Sequence, residues 1–565
     1  MVLAVAAAAR VANWMQVQPG SILYFHLWEQ SDMNFFHQWG ERIAGGDLMG
    51  APRPYHRWHG EVALEVHRRQ QPGVPFDEQR GRLLWRRWLG DDAFYQDPLY
   101  AYLLGAFYRV CGARVEPVLV AQGVMGLGIA ALAFFLGDVL GGRWTALLAG
   151  LMAALYAPLM FYEGTLLRGV LQALLSLALV AAAQRGLEQE RGGRWWLVSG
   201  LCGGALAMTH STGLLLVAGL GALAALRERG PRLRRDLLCF GGGLALALLP
   251  FAARNVAVGL SPLAAPAYGP VNFIISNAAD RNPWVGFPIS EWTDEILEQT
   301  DGRLLPVIRA TLATHPGVGS WLRLALQKLL VFVNHRETVD NINFSYYLLQ
   351  APLMDWTGLR FALLAPLGLG GILLAGRRRE AAPLLLGLAS GLAIAVAFFT
   401  SSRLRLTSAL MLVPFAALFV VESARRVRAG RARSLLGPGL GVLAAAVVVL
   451  VDWAPPGPAI RSADYLVGNS IAVERARRSA AAGDGEAALR TLEVQLRTEP
   501  SELRRLDPRA GSATLSAASV QAAGYFVELH RLAAALHEAR GEREEAFAEA
   551  RRGEVLEMVA RQAVR

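Results

Sequence analysis

The chain has 565 residues, of which 53% are hydrophobic and only 18% are charged, and its formal net charge is +10. A soluble protein carries about 25% charged residues, so this composition excludes an ordinary soluble enzyme and indicates a membrane protein. The positive charge does not indicate a nucleic-acid partner, because the arginines cluster in short linkers between apolar segments, where membrane proteins mark their cytoplasmic side. Cys111, Cys202 and Cys239 lie far apart, which indicates neither a metal site nor a disulfide framework.

Apolar segments near the length needed to cross a bilayer recur from Met1 to Trp453. We therefore predict an all-α fold, with a polytopic transmembrane helix bundle and large extracytoplasmic loops in residues 1–455 and a helical C-terminal domain in residues 456–565. The stretch Met1–Arg10 is too short to span; it is either part of a first helix or a secretory signal without a basic start. The other predicted segments are Val115–Leu140, Trp144–Phe161, Thr165–Ala183, Trp195–Met208, Gly213–Leu226, Leu237–Ala253, Leu359–Ala375, Ala381–Thr400, Leu406–Val421 and Leu435–Val451.

The stretch Trp195–Leu226 is too long for one ordinary crossing and short for two. If it crosses twice, with a break near Thr209–Gly213, the arginine-rich linkers all fall on one side of the membrane. The short linkers on the other side then carry almost no basic residue except Arg403 and Arg405. The positive-inside rule favours this arrangement, with the arginine-rich side cytoplasmic. Three regions are consequently predicted to be extracytoplasmic: residues 13–116, residues 254–358 and the C-terminal tail.

The first candidate site begins at Ser31 and Asp32, ahead of an amphipathic stretch in which Phe36, Trp39 and Ile43 recur at helical spacing. Serine and aspartate are both favoured at helix N-termini, so either residue could cap this helix. Asp32 is therefore either a helix cap or a reactive carboxylate in the first outside loop.

The second candidate is Glu163, which lies in a very short outside turn between two apolar helices. A charge at such depth is costly and indicates a functional site. Arg168 lies five residues further on, so a structural ion pair between Glu163 and Arg168 is the alternative.

The third candidate comprises Arg403 and Arg405 at an outside helix start. Arginine at this position suits a phosphate or an anionic lipid headgroup, and simple snorkelling to the interface is the alternative. The fourth candidate is the polar and aromatic stretch from Asn334 to Asn341 with Tyr346 and Tyr347. Interfacial anchoring is the alternative, and it is the better explanation for the tyrosines.

The stretch from Leu48 to Leu89 is rich in histidine, tryptophan and arginine, which suggests a re-entrant or interfacial cover over the site. Its histidines His56, His59 and His67 fit no standard zinc pattern, so no metal site is predicted here. The chain also has no phosphate-binding loop, dinucleotide fingerprint or nucleophile elbow in a supporting context.

Five short motifs follow one another along the chain: Ser31–Asp32 through Ala44–Gly45–Gly46–Asp47; Pro98–Leu99–Tyr100–Ala101–Tyr102; Tyr156–Ala157–Pro158 with Phe161–Tyr162–Glu163–Gly164; Arg254–Asn255 with Asn272–Phe273 and Asn277; and Arg403–Leu404–Arg405–Leu406. In this order they resemble the motifs of the C-type membrane glycosyltransferases of the dolichyl-phosphate-mannose protein mannosyltransferase and aminoarabinose transferase kind, in their bacterial form with a tetratricopeptide-like tail. Together they are specific for the superfamily but not for a substrate. Two departures are His210–Ser211, where relatives often carry Arg-Pro, and Thr407–Ser408, where a proline usually follows.

The resemblance implies inverting transfer of a sugar from a polyprenyl-phosphate donor to a hydroxyl of a glycan, lipid or protein acceptor, on the extracytoplasmic face of a bacterial inner membrane. It implies that Asp32 is the catalytic base and that Glu163 orients the acceptor or shares the base role. It implies that Arg403 and Arg405 lie near the donor phosphate, whose charge needs a cation. The further candidates for substrate binding are Arg254, Arg168, His59 and Asn277. No metal ligand is predicted, and the use of a divalent metal ion stays open.

The tail contains Gly483–Asp484 followed by alanine and leucine at helical spacing, which indicates one tetratricopeptide-type helical pair or two degraded ones. A lone repeat cannot bury its own face, so the tail is expected to pack on the loops or on a protein partner. Two other functions are weighed against the transferase: a transporter or flippase of lipid-linked sugars, and a non-enzymatic scaffold acting through its tail. A transporter should show internal repeats and charges at mid-membrane, which the sequence lacks.

Overall fold

The structure is a computed structural model that describes residues 1–50, 92–190, 192–284, 289–453, 460–506 and 515–563, with a few single positions between 73 and 88. Helices and their connections make up these residues, and the one β-type pairing among them is a bridge between Tyr156 and Leu359. The predicted all-α fold is confirmed.

Twenty-five α-helices run through the described residues, and they fall into four groups along the chain. The first group is α1 (Val2–Val17), α2 (Asp32–Ala44), α3 (Leu99–Cys111), α4 (Glu116–Gly141), α5 (Arg143–Ala154), α6 (Ala157–Glu163), α7 (Gly169–Glu188), α8 (Gly193–Thr209), α9 (Leu214–Arg227) and α10 (Gly230–Ala257). The second is α11 (Tyr268–Asn277), α12 (Thr293–Thr300), α13 (Leu304–Ala313), α14 (Val318–Val333), α15 (Phe344–Gln350) and α16 (Pro352–Thr357). The third is α17 (Phe361–Ala375), α18 (Ala382–Ala397), α19 (Ser402–Arg428) and α20 (Leu436–Leu450). The tail contains α21 (Ser462–Ala481), α22 (Gly485–Leu496), α23 (Ser501–Arg504), α24 (Ala517–Ala539) and α25 (Arg543–Ala563).

Six helices in the described part of the chain are long and apolar enough to cross a membrane. The chain is thus a multi-pass membrane protein. The six are Glu116–Gly141, Gly169–Glu188, Gly230–Ala257, Arg379–Ala397, Ser402–Arg428 and Ala432–Leu450. The other four predicted segments correspond to shorter helices: α5 with α6, α8, α9 and α17.

The predicted break near Thr209–Gly213 is present, because α8 ends at Thr209 and α9 starts at Leu214 after a short 3-10 turn. One predicted segment needs correction: Trp144–Phe161 is interrupted between α5 and α6. Pro158 lies in the first turn of α6 and cannot donate a backbone hydrogen bond, so an unbroken helix would be disfavoured here. The interruption exposes Ala157 N, which donates to Leu359 O at 3.0 Å.

The arginine-rich linkers meet at one end of the bundle, here called the basic face. Arg378 Nη1 donates to Leu140 O at 2.6 Å, and Arg227 Nη2 donates to Arg379 O at 2.7 Å. Arg425 Nη1 reaches Gly141 O at 3.4 Å. The helix ends at the opposite side, around Asp32 and the start of α19, form the site face. This arrangement agrees with two crossings between residues 195 and 226.

The centre of the bundle contains α7 and α19, which are mostly buried. Glycines allow neighbouring helices to approach closely. A Cβ added at Gly371 of α17 would lie 1.8 Å from Phe415 O of α19, so the two backbones touch there. By contrast, Leu436, Leu440 and Leu443 of α20 are exposed apolar side chains on one helix face. In a bilayer that face would contact lipid.

The tail forms two helical hairpins, α21 with α22 and α24 with α25, and α21 also packs on α24. Its inner surface is apolar, with Ala472, Leu492 and Phe526 among the buried residues. The first hairpin, α21 with α22, also contacts the loops at the site face, which places the tail and the site on the same side of the bundle.

Candidate active site

Asp32 stands at the start of α2 but does not cap that helix. Ser31 is the cap, since its Oγ accepts a hydrogen bond from Asn34 N at 3.0 Å. The Asp32 carboxylate accepts from Arg403 Nη1 at 3.0 Å and from Asn341 Nδ2 at 3.1 Å, while Asp32 N donates to Asn341 Oδ1 at 2.6 Å. Gln96 Nε2 is a third, more distant donor at 3.5 Å. The Asp32 side chain is 33% exposed. A substrate can therefore reach a carboxylate whose position is fixed by its hydrogen-bond partners.

Arg403 joins two loops at the site face to the first turn of α19. Its Nη1 bonds Asp32, and its Nε lies 3.1 Å from Asp340 Oδ2. The side chain is 9% exposed and passes over Gly169, where an added Cβ would lie 3.2 Å from Arg403 Cγ. One guanidinium thus holds two carboxylates that are about three hundred residues apart in sequence.

The pKa values of the two carboxylates that Arg403 contacts, Asp32 and Asp340, are shifted in opposite directions. Desolvation raises the pKa of Asp32, but the charge of Arg403 and the hydrogen bonds from Arg403 and Asn341 outweigh it, so the pKa lies below its usual value. For Asp340 desolvation prevails over the attraction of Arg403, and the charge of Asp32 adds to it, so the pKa is raised. Asp32 is the group that stays ionised at neutral pH, and Asp340 is the easier of the two to protonate.

A second ion pair, between Asp97 and Arg168, adjoins this cluster. Asp97 accepts from Arg168 Nη1 at 3.1 Å, from the Tyr268 hydroxyl at 2.6 Å and from Ser211 N at 3.2 Å. Ser211 lies in the break between α8 and α9, so the break supplies a backbone donor to the site. Burial raises the pKa of Asp97 despite these partners. The charge of Arg168 also lowers the pKa of Asp32, which indicates that the two ion pairs lie close together.

Glu163 lies in a different environment. Its Oε1 bonds Arg10 Nη2 of α1 at 2.6 Å, and both side chains are buried. A Cβ at Gly126 would lie 1.8 Å from Glu163 Oε1, so α4 closes over the pair. The hydrogen-bond partners of Glu163 and Asp32 do not overlap, and the alternative pairing of Glu163 with Arg168 is not formed, since Arg168 bonds Asp97 instead. The catalytic role implied for Glu163 stays a prediction.

Arg405 and Arg403 are two residues apart, but their contacts differ. Arg405 Nη1 donates to Phe332 O at 3.1 Å and to Asn334 O at 2.5 Å. Its Nη2 donates to Arg336 O at 3.0 Å and lies 2.8 Å from Glu337 Oε2. The side chain is 2% exposed. These contacts hold the segment that follows α14 and leave little opportunity to meet a phosphate.

Two of the remaining predicted substrate-binding residues, Arg254 and Asn277, make contacts that do not include Asp32. Arg254 Nε donates to Met49 O at 2.8 Å, and its guanidinium stacks 3.9 Å from the Phe94 ring centre, so it holds the end of the first loop. Asn277 Nδ2 donates to Ala397 O at 2.9 Å. His59 falls outside the described residues.

Sequence reasoning missed three residues of the cluster. Asp97 directly precedes the matched stretch that begins at Pro98, so its position next to a motif was the available signal. Asp340 and Asn341 lie in the polar stretch 334–347, which is the fourth candidate region, but neither residue was assigned a role in the site. A further missed residue is Lys328 on α14, whose Nζ donates to Asn277 Oδ1 at 2.7 Å; burial, aided by the charge of Arg281, lowers its pKa to about 7.

Within the described part of the chain, no group of three or more histidine, cysteine, aspartate or glutamate side chains could hold a metal ion. The cluster contains three carboxylates, Asp32, Asp340 and Asp97, and two arginines, Arg403 and Arg168, so it has one carboxylate more than it has cations.

Comparison with known families adds independent information. Residues 95–254 match the model of the family described as dolichyl-phosphate-mannose-protein mannosyltransferase. The predicted family resemblance is confirmed. The matched region includes Asp97, Glu163, Arg168 and Arg254, but neither Asp32 nor Arg403. A comparison with curated proteins found no match.

A comparison with solved structures found matches at low similarity. The apo oligosaccharyltransferase of Archaeoglobus fulgidus is 12% identical with a TM-score of 0.37, covering 81% of this chain and 57% of its own. The archaeal oligosaccharyltransferase AglB from Archaeoglobus fulgidus, in complex with an inhibitory peptide and a dolichol-phosphate, is 14% identical with a TM-score of 0.37, covering 84% of this chain and 58% of its own. ArnT from Cupriavidus metallidurans, bound to undecaprenyl phosphate, is 14% identical with a TM-score of 0.36, covering 90% of this chain and 77% of its own. This chain thus spans little more than half the length of the archaeal enzyme.

Proposed function

We propose that the chain is an inverting glycosyltransferase that moves a sugar from a polyprenyl-phosphate donor to an acceptor hydroxyl. The observation that carries this proposal is the Asp32–Arg403 pair, in which an exposed, ionised carboxylate adjoins a buried guanidinium. The family match over residues 95–254 supports the reaction class.

Asp32 is the proposed general base. As the acceptor oxygen attacks the anomeric carbon, its proton passes to the Asp32 carboxylate, and the bond between that carbon and the phosphate oxygen breaks. A single displacement of this kind inverts the anomeric centre. The lowered pKa of Asp32 keeps the base ionised at neutral pH, and Asn341 and Arg403 fix its orientation.

Arg403 is the proposed cation for the leaving phosphate, with Arg168 in support. Arg403 contacts its two carboxylates through Nη1 and Nε, and neither contact uses Nη2. Arg168 Nε is buried and has no hydrogen-bond partner among the described residues, so a phosphate oxygen could satisfy it. Two adjacent guanidiniums in a poorly hydrated site stabilise developing phosphate charge more strongly than they would in water.

We infer that the site face is extracytoplasmic, in a bacterial inner membrane, because the basic face carries the arginine-rich linkers. The tail is then extracytoplasmic as well. An alkaline phosphatase fusion after Ala560 tests this orientation, since the reporter is active only outside the cytoplasm. Activity is expected, and a stable but inactive fusion would reverse the orientation.

The catalytic proposal is tested with purified protein in liposomes that contain a polyprenyl-phosphate-linked radiolabelled sugar and candidate glycan, lipid or peptide acceptors. We expect label to move to an acceptor in the parental protein and not in Asp32→Asn. A flippase would instead move the labelled lipid across the bilayer without transfer. The same assay with a chelator measures whether a divalent metal ion is used.

A further inference from the structure

The tail docks on the site-face loops through buried polar side chains. Gln495 of α22 accepts a hydrogen bond from Ser21 Oγ at 2.8 Å, and its Nε2 donates to the Tyr346 hydroxyl at 2.5 Å. Gln350 Nε2 reaches both Ser21 Oγ, at 3.0 Å, and Gln495 Oε1, at 3.2 Å. These four side chains are at most 2% exposed. Buried polar networks tolerate only the geometry that pairs every group, so this interface fixes the orientation of the tail.

Two further contacts tighten the same interface. Arg475 Nη1 donates to Pro19 O at 2.8 Å, and its guanidinium lies 3.7 Å from the Tyr24 ring centre. Gly468 of α21 lies directly against Tyr346, because a Cβ added there would fall 1.9 Å from the hydroxyl oxygen. The helix can approach this closely only because the residue lacks a side chain.

A chain of contacts connects the tail to Asp32. Asp464 of α21 is held by Arg461 at 2.8 Å and accepts from Asn343 Nδ2 at 3.1 Å. Asn343 caps α15, and its Oδ1 accepts from Ser345 N at 2.8 Å. Asn341 lies two residues before Asn343. Its side-chain amide donates to the Asp32 carboxylate and accepts from Asp32 N. The positive charge of Arg461 also partly offsets the rise in the pKa of Asp340. A charged residue at the start of the tail is therefore close enough to act on the cluster around Asp32.

The segment from Glu337 to Asn343 belongs to no helix, so side-chain contacts fix its position, both at its two ends and at Asp340, which Arg403 holds. At the first end, Glu337 is held by Arg405 at 2.8 Å. At the second end, Asn343 is held by Asp464. Asp340 and Asn341 lie between these anchors. Without the second anchor the segment would sample more conformations, and Asn341 would lose its fixed position against Asp32.

We propose that the C-terminal helical domain, through the Asp464–Asn343 contact, positions Asp340 and Asn341 against Asp32 and so forms a working part of the active site. This inference rests on the proposed function of Asp32 as the base. Asp464 and Asn343 are positioning residues, since they act through Asn341 and do not reach the reacting atoms themselves.

A charge-swap series in the full-length protein tests the proposal. Asn343→Asp places a second carboxylate against Asp464 and breaks the contact. Adding Asp464→Asn restores it, because the new amide can donate to the new carboxylate. We expect Asn343→Asp to lower kcat by about tenfold or more with the donor KM nearly unchanged, and the double variant to recover most of that loss. Arg490→Ala, which removes an exposed pair with Glu486 in the tail, is the control and should match the parental rate.

The pH profile separates positioning from general loss of structure. The charged groups that face Asp32 are Arg403 from α19, Asp340 from the loop and Arg168 before α7. None is altered in the series, but Asn343→Asp adds a carboxylate of its own. A displaced Asn341 should shift the acidic limb of kcat towards higher pH in Asn343→Asp and back in the double variant. The same shift in the uncharged variant Gly468→Ala would show that the displacement, and not the added charge, is the cause. Parental kcat and an unchanged acidic limb in a correctly folded Asn343→Asp protein would overturn the proposal, as would a double variant no better than the single.

Gly468→Ala is a second, uncharged test. Alanine normally favours a helix interior over glycine, so a loss here must come from the contact with Tyr346. Gly524→Ala, where the new Cβ would meet only Ala560 Cβ at an ordinary 3.5 Å, is the matched control. The first variant should reproduce the kcat loss and the second should not; equal rates in the two would contradict the proposal.

Hydrogen–deuterium exchange of residues 337–343 distinguishes a failure of this proposal from a failure of the proposed function, because it needs no turnover. Exchange should rise in Asn343→Asp and Gly468→Ala and fall back in the charge-swap double variant. Unchanged exchange in both single variants would overturn the positioning role, whereas absent transfer in a parental protein with normal exchange behaviour would count against the glycosyltransferase alone.

Discussion

Two of the carboxylate–arginine pairs near the site face, Asp32–Arg403 and Glu163–Arg10, have different surroundings. In the pair of Asp32 with Arg403, the carboxylate is 33% exposed and the arginine serves a second carboxylate. In the pair of Glu163 with Arg10, the side chains are 6% and 10% exposed, and α4 packs over them. Both are acidic residues at membrane turns and both occur in family-like motifs. Solvent access and shared partners, which the sequence does not show, are what distinguish a pair suited to chemistry from one suited to holding helices together.

Asp32→Asn should give the largest effect and sharpen this comparison. The amide keeps the shape and can still accept from Asn341, but it cannot take a proton, so transfer should fall about 10²–10⁴-fold. Sugar transfer in liposomes is the measurement. Asp301→Asn is the control, because asparagine tolerates the positive φ of that exposed residue. Parental turnover in Asp32→Asn would remove Asp32 from the reaction.

Glu163→Ala should destabilise the protein rather than slow the reaction. It leaves Arg10 as a buried charge without its partner, at a cost of about 3–5 kcal/mol. Thermal unfolding in detergent measures this loss, and turnover is then normalised to folded protein. Replacing both residues with apolar ones, Arg10→Met with Glu163→Leu, should recover most of the stability. A variant of parental stability that has lost transfer would show that Glu163 acts in catalysis after all.

Arg403→Ala should weaken use of the donor by about 1.5–3 kcal/mol, the range for a hydrogen bond to a charged group. Arg403→Lys should recover only part, since lysine supplies the charge but not the planar fork. Arg405→Ala is the matched comparison for Arg403→Ala. Because Arg405 contacts three backbone carbonyls and Glu337, its removal should lower the stability of the protein and leave donor affinity unchanged. If Arg405→Ala weakens donor binding and Arg403→Ala does not, the two roles are exchanged.

The smallest expected effect is a shift in pH dependence. The pKa of Asp32 is held below its usual value, so the carboxylate charge and the interactions that need it are present at neutral pH and are lost as the pH falls through that lowered pKa. Asn341→Ala removes a hydrogen bond to the charged form, which raises the pKa of Asp32 and moves the acidic limb of kcat/KM upward by about one pH unit. Rate profiles between pH 3 and 8, with Asn272→Ala as the control, measure the shift. An acidic limb that does not move would mean that another group titrates.

Composition and hydropathy determined the all-α membrane fold, because a bilayer admits only segments of sufficient apolar length with internally satisfied backbones. Charge asymmetry determined the break at Thr209–Gly213, since only two crossings bring the arginine-rich linkers to one face. The position of each residue at a predicted outside helix start also identified Asp32 and Arg403, separately, as candidate site residues. The interruption between α5 and α6 was not foreseen, although Pro158 signalled it, because apolar composition alone does not reveal a short break.

The tertiary structure alone decided which charges meet. Asp32 and Arg403 are 371 residues apart, and nothing local to either residue specifies the other. Equally, Arg403 and Arg405 share one motif, yet helical rotation points one towards Asp32 and the other towards the carbonyls after α14. Sequence patterns report the period and polarity of a segment, whereas ion-pair partners depend on how helices pack against each other. For that reason Asp97, Asp340 and Asn341 joined the site only when the helices and loops were assembled.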